Sequence, residues 1–292
     1  MLILIADVFL PDLPDKLSRF GNITYDKGKL PVATIVLVRS KTKVTKEYIN
    51  SAPNLKLVIR GGVGLDNIDL KYATEKGITV HNTAVASSIA VAELAFALMI
   101  ALPNHVTKAD RTMLAGKWAK KELIRTELYQ KTLGIIGLGR IGTELAKRAA
   151  AFGMNVIAYH PKVKSSLVAK MTTDLRDILN NSDYVSLHLP LNHETKGIIN
   201  AEMLNEFKDG AYLINTGRGK TIIERDVVEA LKSGKLAGFG NDVWYSDPPE
   251  NTPLIDAPNV IALPHLGAST KESLSRIGDI IESIIHDFIT IK

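Results

Sequence analysis

Three loops of this chain carry side chains suited to moving a hydride and a proton at an oxygen-bearing carbon. Asn215-Thr216-Gly217-Arg218-Gly219 follows the apolar run 211–214, Asn241-Asp242-Val243-Trp244 ends the run 236–240, and Pro264-His265-Leu266-Gly267 follows the run 260–262. Asp247 lies between the last two. An arginine offers a permanent planar cation that pairs with a carboxylate and polarises a neighbouring carbonyl oxygen. A histidine exchanges protons near neutrality, and a carboxylate beside it orients the ring. Each residue alone has a plainer reading, since single histidines are mostly structural and loop arginines mostly solvated. Their common placement at the carboxyl ends of strands, where open α/β sheets bind ligands, points to a site for hydride chemistry on a hydroxy acid.

A second signal says what would carry the hydride. Gly137-Leu138-Gly139-Arg140-Ile141-Gly142 follows the apolar run 133–136 and opens a helical pattern with Leu145, Ala149 and Phe152. Strand, glycine turn and helix come in the order that a dinucleotide requires: a tight turn, a close backbone approach to the pyrophosphate, and helix N–H groups facing it. The next strand, 156–159, should end in an acidic residue for the ribose hydroxyls, yet it is followed by His160, with Lys162 and Lys164 beyond. NAD is the expected cofactor, and His160 leaves NADP open.

These loops need a scaffold, and the rest of the chain describes one. In the first third, the runs 2–5, 33–38, 57–59 and 78–80 read as strands. Further on, 133–136, 156–159, 184–187, 211–214, 236–240 and 260–262 do the same, separated by helix-length segments. Such spacing implies parallel pairing through right-handed crossovers, hence two doubly wound α/β sheets and a cleft between two domains. The stretch 90–102, with Val91, Leu94, Ala95, Leu98 and Ile100, reads as an apolar connecting helix. Ser269-Thr270-Lys271-Glu272 has capping-box spacing before the amphipathic series Leu274, Ile277, Ile281, Ile284 and Phe288.

Composition narrows the function classes. With 292 residues, 46% hydrophobic and 23% charged, the chain can bury a sizeable core in about two domains. The absence of cysteine excludes a disulfide framework, a Cys-ligated zinc site and a thiol nucleophile, and no metal site is expected. The net charge of +5 is spread along the chain without aromatic-interleaved basic runs. It suits anionic small molecules rather than nucleic acid. No apolar run reaches membrane-spanning length, and 1–10 lacks the basic flank of a signal peptide, which predicts a cytoplasmic protein with no membrane partner.

Taken together, the motifs resemble a known family along essentially the whole chain. The segment Gly64-Leu65-Asp66-Asn67-Ile68-Asp69, the turn 137–142, the arginine motif 215–219 and the histidine motif 264–270 occur in the order found in the D-isomer-specific 2-hydroxyacid dehydrogenases. Within that family, Val38-Arg39-Ser40, Arg60-Gly61-Gly62-Val63-Gly64, Gly116-Lys117-Trp118 and Thr126-Glu127-Leu128 are most similar to the branch acting on D-3-phosphoglycerate. The chain ends directly after the closing helix, which predicts that the C-terminal regulatory domain of some of those enzymes is absent.

The resemblance implies a flavodoxin-like substrate domain, residues 1–86 plus 270–292, with a Rossmann cofactor domain, 87–269, inserted in it. It makes Arg218 the group that binds the substrate carboxylate and polarises the reacting oxygen, and His265 the proton exchanger. The family's glutamate partner of that histidine falls on Asp247, one methylene shorter, so that a direct contact and a water-mediated one are both open. Asp242 matches the residue for the nicotinamide carboxamide. Leu189, Pro190, Thr195, Thr216, Gly217 and Gly267 match the cofactor lining, and the backbone of Gly62 and Val63 matches a carboxylate cradle. Relatives commonly form homodimers, and the arm would come from 90–118.

The substrate expectation rests on Arg39 and Arg60. Both end strands of one parallel sheet at its carboxyl edge, and Arg60 precedes the cradle loop. Paired arginines there predict a phosphoryl tail, and so 3-phosphohydroxypyruvate as the acid reduced. The alternatives are a glyoxylate or hydroxypyruvate reductase and, from another class, a non-catalytic protein that senses NAD(H) on this fold. Retention of both Arg218 and His265 argues against the last.

Overall fold

Short β-branched runs alternating with helices give two parallel sheets in this computed structural model, which describes residues 1–290. Ile291 and Lys292, which the sequence reading placed in the substrate domain, lie outside the described residues. The chain forms two compact units, Met1–Ala90 with Ala268–Lys292, and Val91–Gly267.

The first unit holds strands β1 (Leu2–Ile5), β2 (Asn22–Thr24), β3 (Ile35–Val38), β4 (Leu57–Arg60) and β5 (Thr79–Asn82), with helices α1 (Leu13–Leu17), α2 (Lys46–Asn50) and α3 (Leu70–Glu75). All pairings are parallel, in the order β2-β1-β3-β4-β5. This is the flavodoxin-like doubly wound arrangement. The central strands read as unbroken apolar runs because both faces are covered; Val36, Leu37, Val58 and Ile59 are fully buried.

The second unit begins within α4 (Ser88–Ala101), followed by α5 (Val106–Leu114). Then come β6 (Thr132–Ile136), α6 (Arg140–Ala151), β7 (Asn155–Tyr159), β8 (Lys170–Thr172), α7 (Leu175–Asn181), β9 (Tyr184–Leu187), α8 (Ala201–Asn205), β10 (Ala211–Asn215), α9 (Glu224–Lys232), β11 (Leu236–Asn241) and β12 (Val260–Ala262). The seven strands are parallel, in the order β12-β11-β10-β9-β6-β7-β8. Counted from β6, that is the dinucleotide-binding order 3-2-1-4-5-6 with one strand added, and its topological switch lies between β6 and β9. Helix α4 buries Ala92, Ala95, Leu98 and Met99 inside this unit, with Gly240 of β11 leaving room for Leu98, while Ile89, Glu93 and Ala97 form an exposed row on its other side.

The last helix, α10 (Lys271–Thr290), belongs to the first unit, where Ile277, Ile281 and Ile285 join the core formed by Ile3, Ile5, Leu13 and Leu17. The expected capping box is corrected here. The helix starts one residue later than that spacing requires, and the cap is Thr270, whose hydroxyl accepts the Ser273 N–H at 3.0 Å. The apolar helix runs 88–101 rather than 90–102, because Ser88 and Ile89 are already helical and the chain turns after Ala101. Two strands not expected from sequence, β2 and β8, are three-residue edge strands. Among the described residues, no single helix is long and apolar enough to cross a membrane.

Candidate active site

The carboxyl edge of the second unit's sheet carries most of the expected site. At its switch point, Gly137 adopts φ +103°, and a Cβ there would lie 2.5 Å from the His188 carbonyl oxygen, so only glycine fits between β6 and β9. A Cβ on Gly142 would meet the Gly137 carbonyl at 2.5 Å, which shows how closely α6 packs on the turn. Gly139 differs: a Cβ there would meet nothing within 4 Å. This open backbone, followed by the exposed Arg140 and half-buried Ile141 at the N-terminus of α6, leaves space and unspent N–H groups for a pyrophosphate. The residues fit a dinucleotide.

Beside the turn, Leu189 is buried, whereas Pro190 is exposed. The Thr195 hydroxyl donates to the Pro190 carbonyl at 2.6 Å and accepts the Asn192 N–H at 2.9 Å. It therefore shapes the 189–195 loop. His188, which the sequence reading passed over, directly follows β9 with Nε2 2.9 Å from the Ser186 hydroxyl; burial pushes its pKa down to about 4 and keeps the ring neutral. Its only sequence signal was its place directly after a strand.

On the next strand, buried Asn215 clasps the arginine loop. Its amide nitrogen donates to the Arg218 carbonyl at 3.0 Å, and its oxygen accepts the Gly217 N–H at 3.1 Å. The Thr221 hydroxyl adds a bond of 2.7 Å to the same carbonyl. Arg218 is held extended between Gly217 and Gly219, its guanidinium donating to the Gly217 carbonyl at 2.7 Å. Thr216 is buried next to it.

Asp242, at the end of β11, is 1% exposed and accepts the Leu266 and Gly267 N–H groups at 2.7 and 2.8 Å, one on each carboxylate oxygen. Burial raises its pKa, and these two bonds oppose the rise. The resemblance pointed to the nicotinamide; the structure gives Asp242 a further task, fixing the residues that follow His265. That support matters because His265 has φ +58°, a left-handed conformation that costs a side-chain-bearing residue roughly 1–2 kcal/mol. His265 Nδ1 meets Asp247 Oδ2 at 2.5 Å. The shorter acid thus reaches the ring directly, which leaves Nε2 as the ring nitrogen not engaged by Asp247. The hydrogen bond from His265, with the charges of His265 and Arg218 behind it, holds the Asp247 carboxyl below the ordinary carboxylate range although burial opposes this. Arg218, Asp247 and His265 are therefore one electrostatic group.

His160 directly follows β7 and faces its own turn: Nδ1 accepts the Lys162 and Val163 N–H groups at 3.0 and 3.1 Å.

In the first unit, Arg39 and Arg60 sit at the ends of the adjacent strands β3 and β4, where Arg60 pairs with Val38. A Cβ on Gly62 (φ +151°) would lie 1.6 Å from Arg60 Nη1, so the guanidinium folds over the loop that follows β4. Thr83 N–H donates to the Gly62 carbonyl at 3.1 Å, and Asn82 holds the Val63 carbonyl at 2.6 Å. Asp7, which sequence reasoning missed, occupies this sheet's own switch point after β1. Its carboxylate accepts the Arg39 N–H at 2.6 Å and the Thr42 hydroxyl at 2.6 Å. Burial lowers the Arg39 pKa and the Asp7 charge opposes this, so Arg39 already lies in the field of a carboxylate of its own unit.

Residues 96–267 match the family model of the D-isomer specific 2-hydroxyacid dehydrogenase NAD-binding domain. Fold, site and match together define an oxidoreductase that works with a nicotinamide dinucleotide. The chain is 45% identical to a hydroxypyruvate reductase of Thermotoga maritima over 88% of its length and 86% of that protein's. It is 41% identical to a D-3-phosphoglycerate dehydrogenase of Methanocaldococcus jannaschii over 96% of its length and 56% of that protein's. The chain thus spans about half the length of the D-3-phosphoglycerate dehydrogenases it matches. Among solved structures, a D-lactate dehydrogenase from Aquifex aeolicus, complexed with NAD and lactic acid, superposes with a TM-score of 0.89 at 30% identity, covering 99% of this chain and 96% of that one. The chain belongs to the D-isomer-specific 2-hydroxyacid dehydrogenases.

Proposed function

We propose that the chain interconverts 3-phosphohydroxypyruvate and D-3-phosphoglycerate. The observation that carries this reading is Arg60 folded over Gly62, which sets a planar two-donor cation against the loop whose backbone at Gly62 and Val63 would take the substrate carboxylate. Arg39, on the neighbouring strand, is the second candidate for the phosphoryl group.

When bound, the reduced nicotinamide supplies a hydride to C2 of the keto acid. The turn from Gly137 to Gly142 would hold its pyrophosphate, with Leu189, Pro190, Thr216 and Gly217 along its length and Asp242 toward the carboxamide. Arg218 pairs with the substrate carboxylate and polarises the C2 carbonyl oxygen. His265 Nε2 donates the proton to that oxygen in reduction and takes it back in oxidation, while Asp247 orients the ring through Nδ1 and stabilises its protonated form.

Steady-state reduction of 3-phosphohydroxypyruvate, hydroxypyruvate and glyoxylate tests the assignment. Arg60→Ala should cost the phosphorylated acid about 1.5–3 kcal/mol in kcat/KM, the range for a charged hydrogen bond, and leave hydroxypyruvate nearly unchanged. His265→Ala should lower kcat on every acid by roughly two to four powers of ten. A parent enzyme that prefers hydroxypyruvate establishes the second reading, a hydroxypyruvate reductase. Asp7 favours that reading, because its charge already acts on Arg39 within the chain.

A further inference from the structure

Gly137 N–H donates to the Tyr159 carbonyl at 2.9 Å, so the phosphate turn and the end of β7 are held together. His160 is therefore the first side chain beyond the strand at the position where a dinucleotide's adenosine ribose is read. A carboxylate at this position accepts both ribose hydroxyls and repels a 2′-phosphate.

The His160 ring offers the opposite chemistry. Two backbone N–H groups, from Lys162 and Val163, point at Nδ1. A nitrogen that accepts them carries no proton, which places the ring's proton on Nε2. Burial and the Lys162 ammonium lower the His160 pKa, which also favours this neutral tautomer. The acceptor nitrogen is spent inside the turn, and the nitrogen left for a ligand is a donor. No acceptor faces a ribose diol from this residue.

The segment directly after His160 carries charge of one sign, and the next carboxylates along the chain, Asp174 and Asp177, follow the paired strand β8, where the Thr172 hydroxyl donates to Asp177 at 2.9 Å. Residues 160–170 include Lys162, Lys164 and Lys170 and no carboxylate. Lys162 and Lys164 are exposed, and Lys164 Nζ leans back to 3.5 Å from the Pro161 carbonyl, over the same turn. Arg140, the first residue of α6, is a further exposed cation. Donors without acceptors, backed by ammonium groups, fit a phosphoryl oxygen.

We propose that the adenosine subsite of this chain is built for a 2′-phosphate, with His160 Nε2–H, Lys162 and Lys164 as its donors, so that NADP(H) binds more tightly than NAD(H). This rests on the dinucleotide reading of the glycine turn. Isothermal titration of the full chain with adenosine 2′,5′-bisphosphate, adenosine 5′-monophosphate, NADPH and NADH measures it without turnover. Each 2′-phosphorylated ligand should bind about ten- to a hundredfold more tightly than its partner, the worth of one charge-assisted hydrogen bond. His160→Asp should reverse the order. His160→Gln, whose amide oxygen can take the turn's N–H groups while its NH2 faces outward, should preserve it. Equal affinities within each pair, or tighter NADH, would overturn the 2′-phosphate assignment and leave the dinucleotide reading standing. Failure of both dinucleotides to bind would overturn the two together.

Discussion

Replacing Asp242 by asparagine probes how His265, the proposed proton exchanger, is held. The carboxylate gives one oxygen to Leu266 N–H and the other to Gly267 N–H, at 2.7 and 2.8 Å in a site 1% exposed to solvent. Asparagine keeps one acceptor and turns the other into an NH2 group that faces an N–H donor. The loss of one charged hydrogen bond costs about 1.5–3 kcal/mol. Part of this is returned, because burial already disfavours the charge, as the raised pKa of Asp242 shows. A net cost of about 1–2 kcal/mol should lower Tm by about 2–8 °C for a unit of this size. The larger effect should fall on turnover. With Gly267 released, His265 can relax from its left-handed conformation, and a displacement on the ångström scale lowers kcat by about ten- to a hundredfold. Thermal unfolding and steady-state keto-acid reduction read the two effects separately. A variant with parent kcat and a lowered Tm would refute the positioning argument, and one with both unchanged would refute the clasp itself.

The Asp247 carboxyl, held below the ordinary aspartate value of about 3.9 by the His265 hydrogen bond and the nearby positive charges, binds its proton less tightly in the native state than in the unfolded chain. Its contribution to stability is therefore full above about pH 4 and declines as pH falls through the lower folded value. Denaturation midpoints of the parent and of Asp247→Asn should differ above about pH 4 and converge below it, and a gap that widens on acidification would contradict this sign. Two glycines of the turn should separate folding from binding. Gly142→Ala puts a Cβ 2.5 Å from the Gly137 carbonyl and should lower Tm, whereas Gly139→Ala meets no protein atom within 4 Å and should keep Tm while weakening dinucleotide binding. Equal melting temperatures for the two variants would show that the turn does not pack as described.

What the sequence reveals here depends on whether the signal is local. The central strands are legible because burial on both faces leaves continuous apolar runs such as Ile35–Val38. β2 and β8 escape because Asn22–Thr24 and Lys170–Thr172 lie at sheet edges and carry mixed polarity over three residues. The glycine turn, Arg218 and His265 stand out as motifs, and Asp247 follows from its place in the order. The second role of Asp242 does not, since its partners lie 24 and 25 residues further along the chain. Asp7 is harder still: a lone acid after the first strand becomes meaningful only when β1 and β3 pair and bring Thr42 to it from 35 residues away. The contact of Asp247 with His265 was open in sequence because a missing methylene can be offset by a change in loop path, which no residue pattern encodes.

The two units are threaded differently, and this bears on biosynthesis. The second unit is one uninterrupted segment, Val91–Gly267, whereas the first needs α10 to fill its core with Ile277, Ile281 and Ile285. On the ribosome the first five strands emerge early but lack that helix until the whole intervening segment has been made. At ~5–20 residues per second the delay is roughly 10–40 seconds, ample for the inserted unit to fold first. The first unit should thus be the later of the two to become protease-resistant, with Ile3, Ile5, Leu13 and Leu17 exposed to chaperones meanwhile.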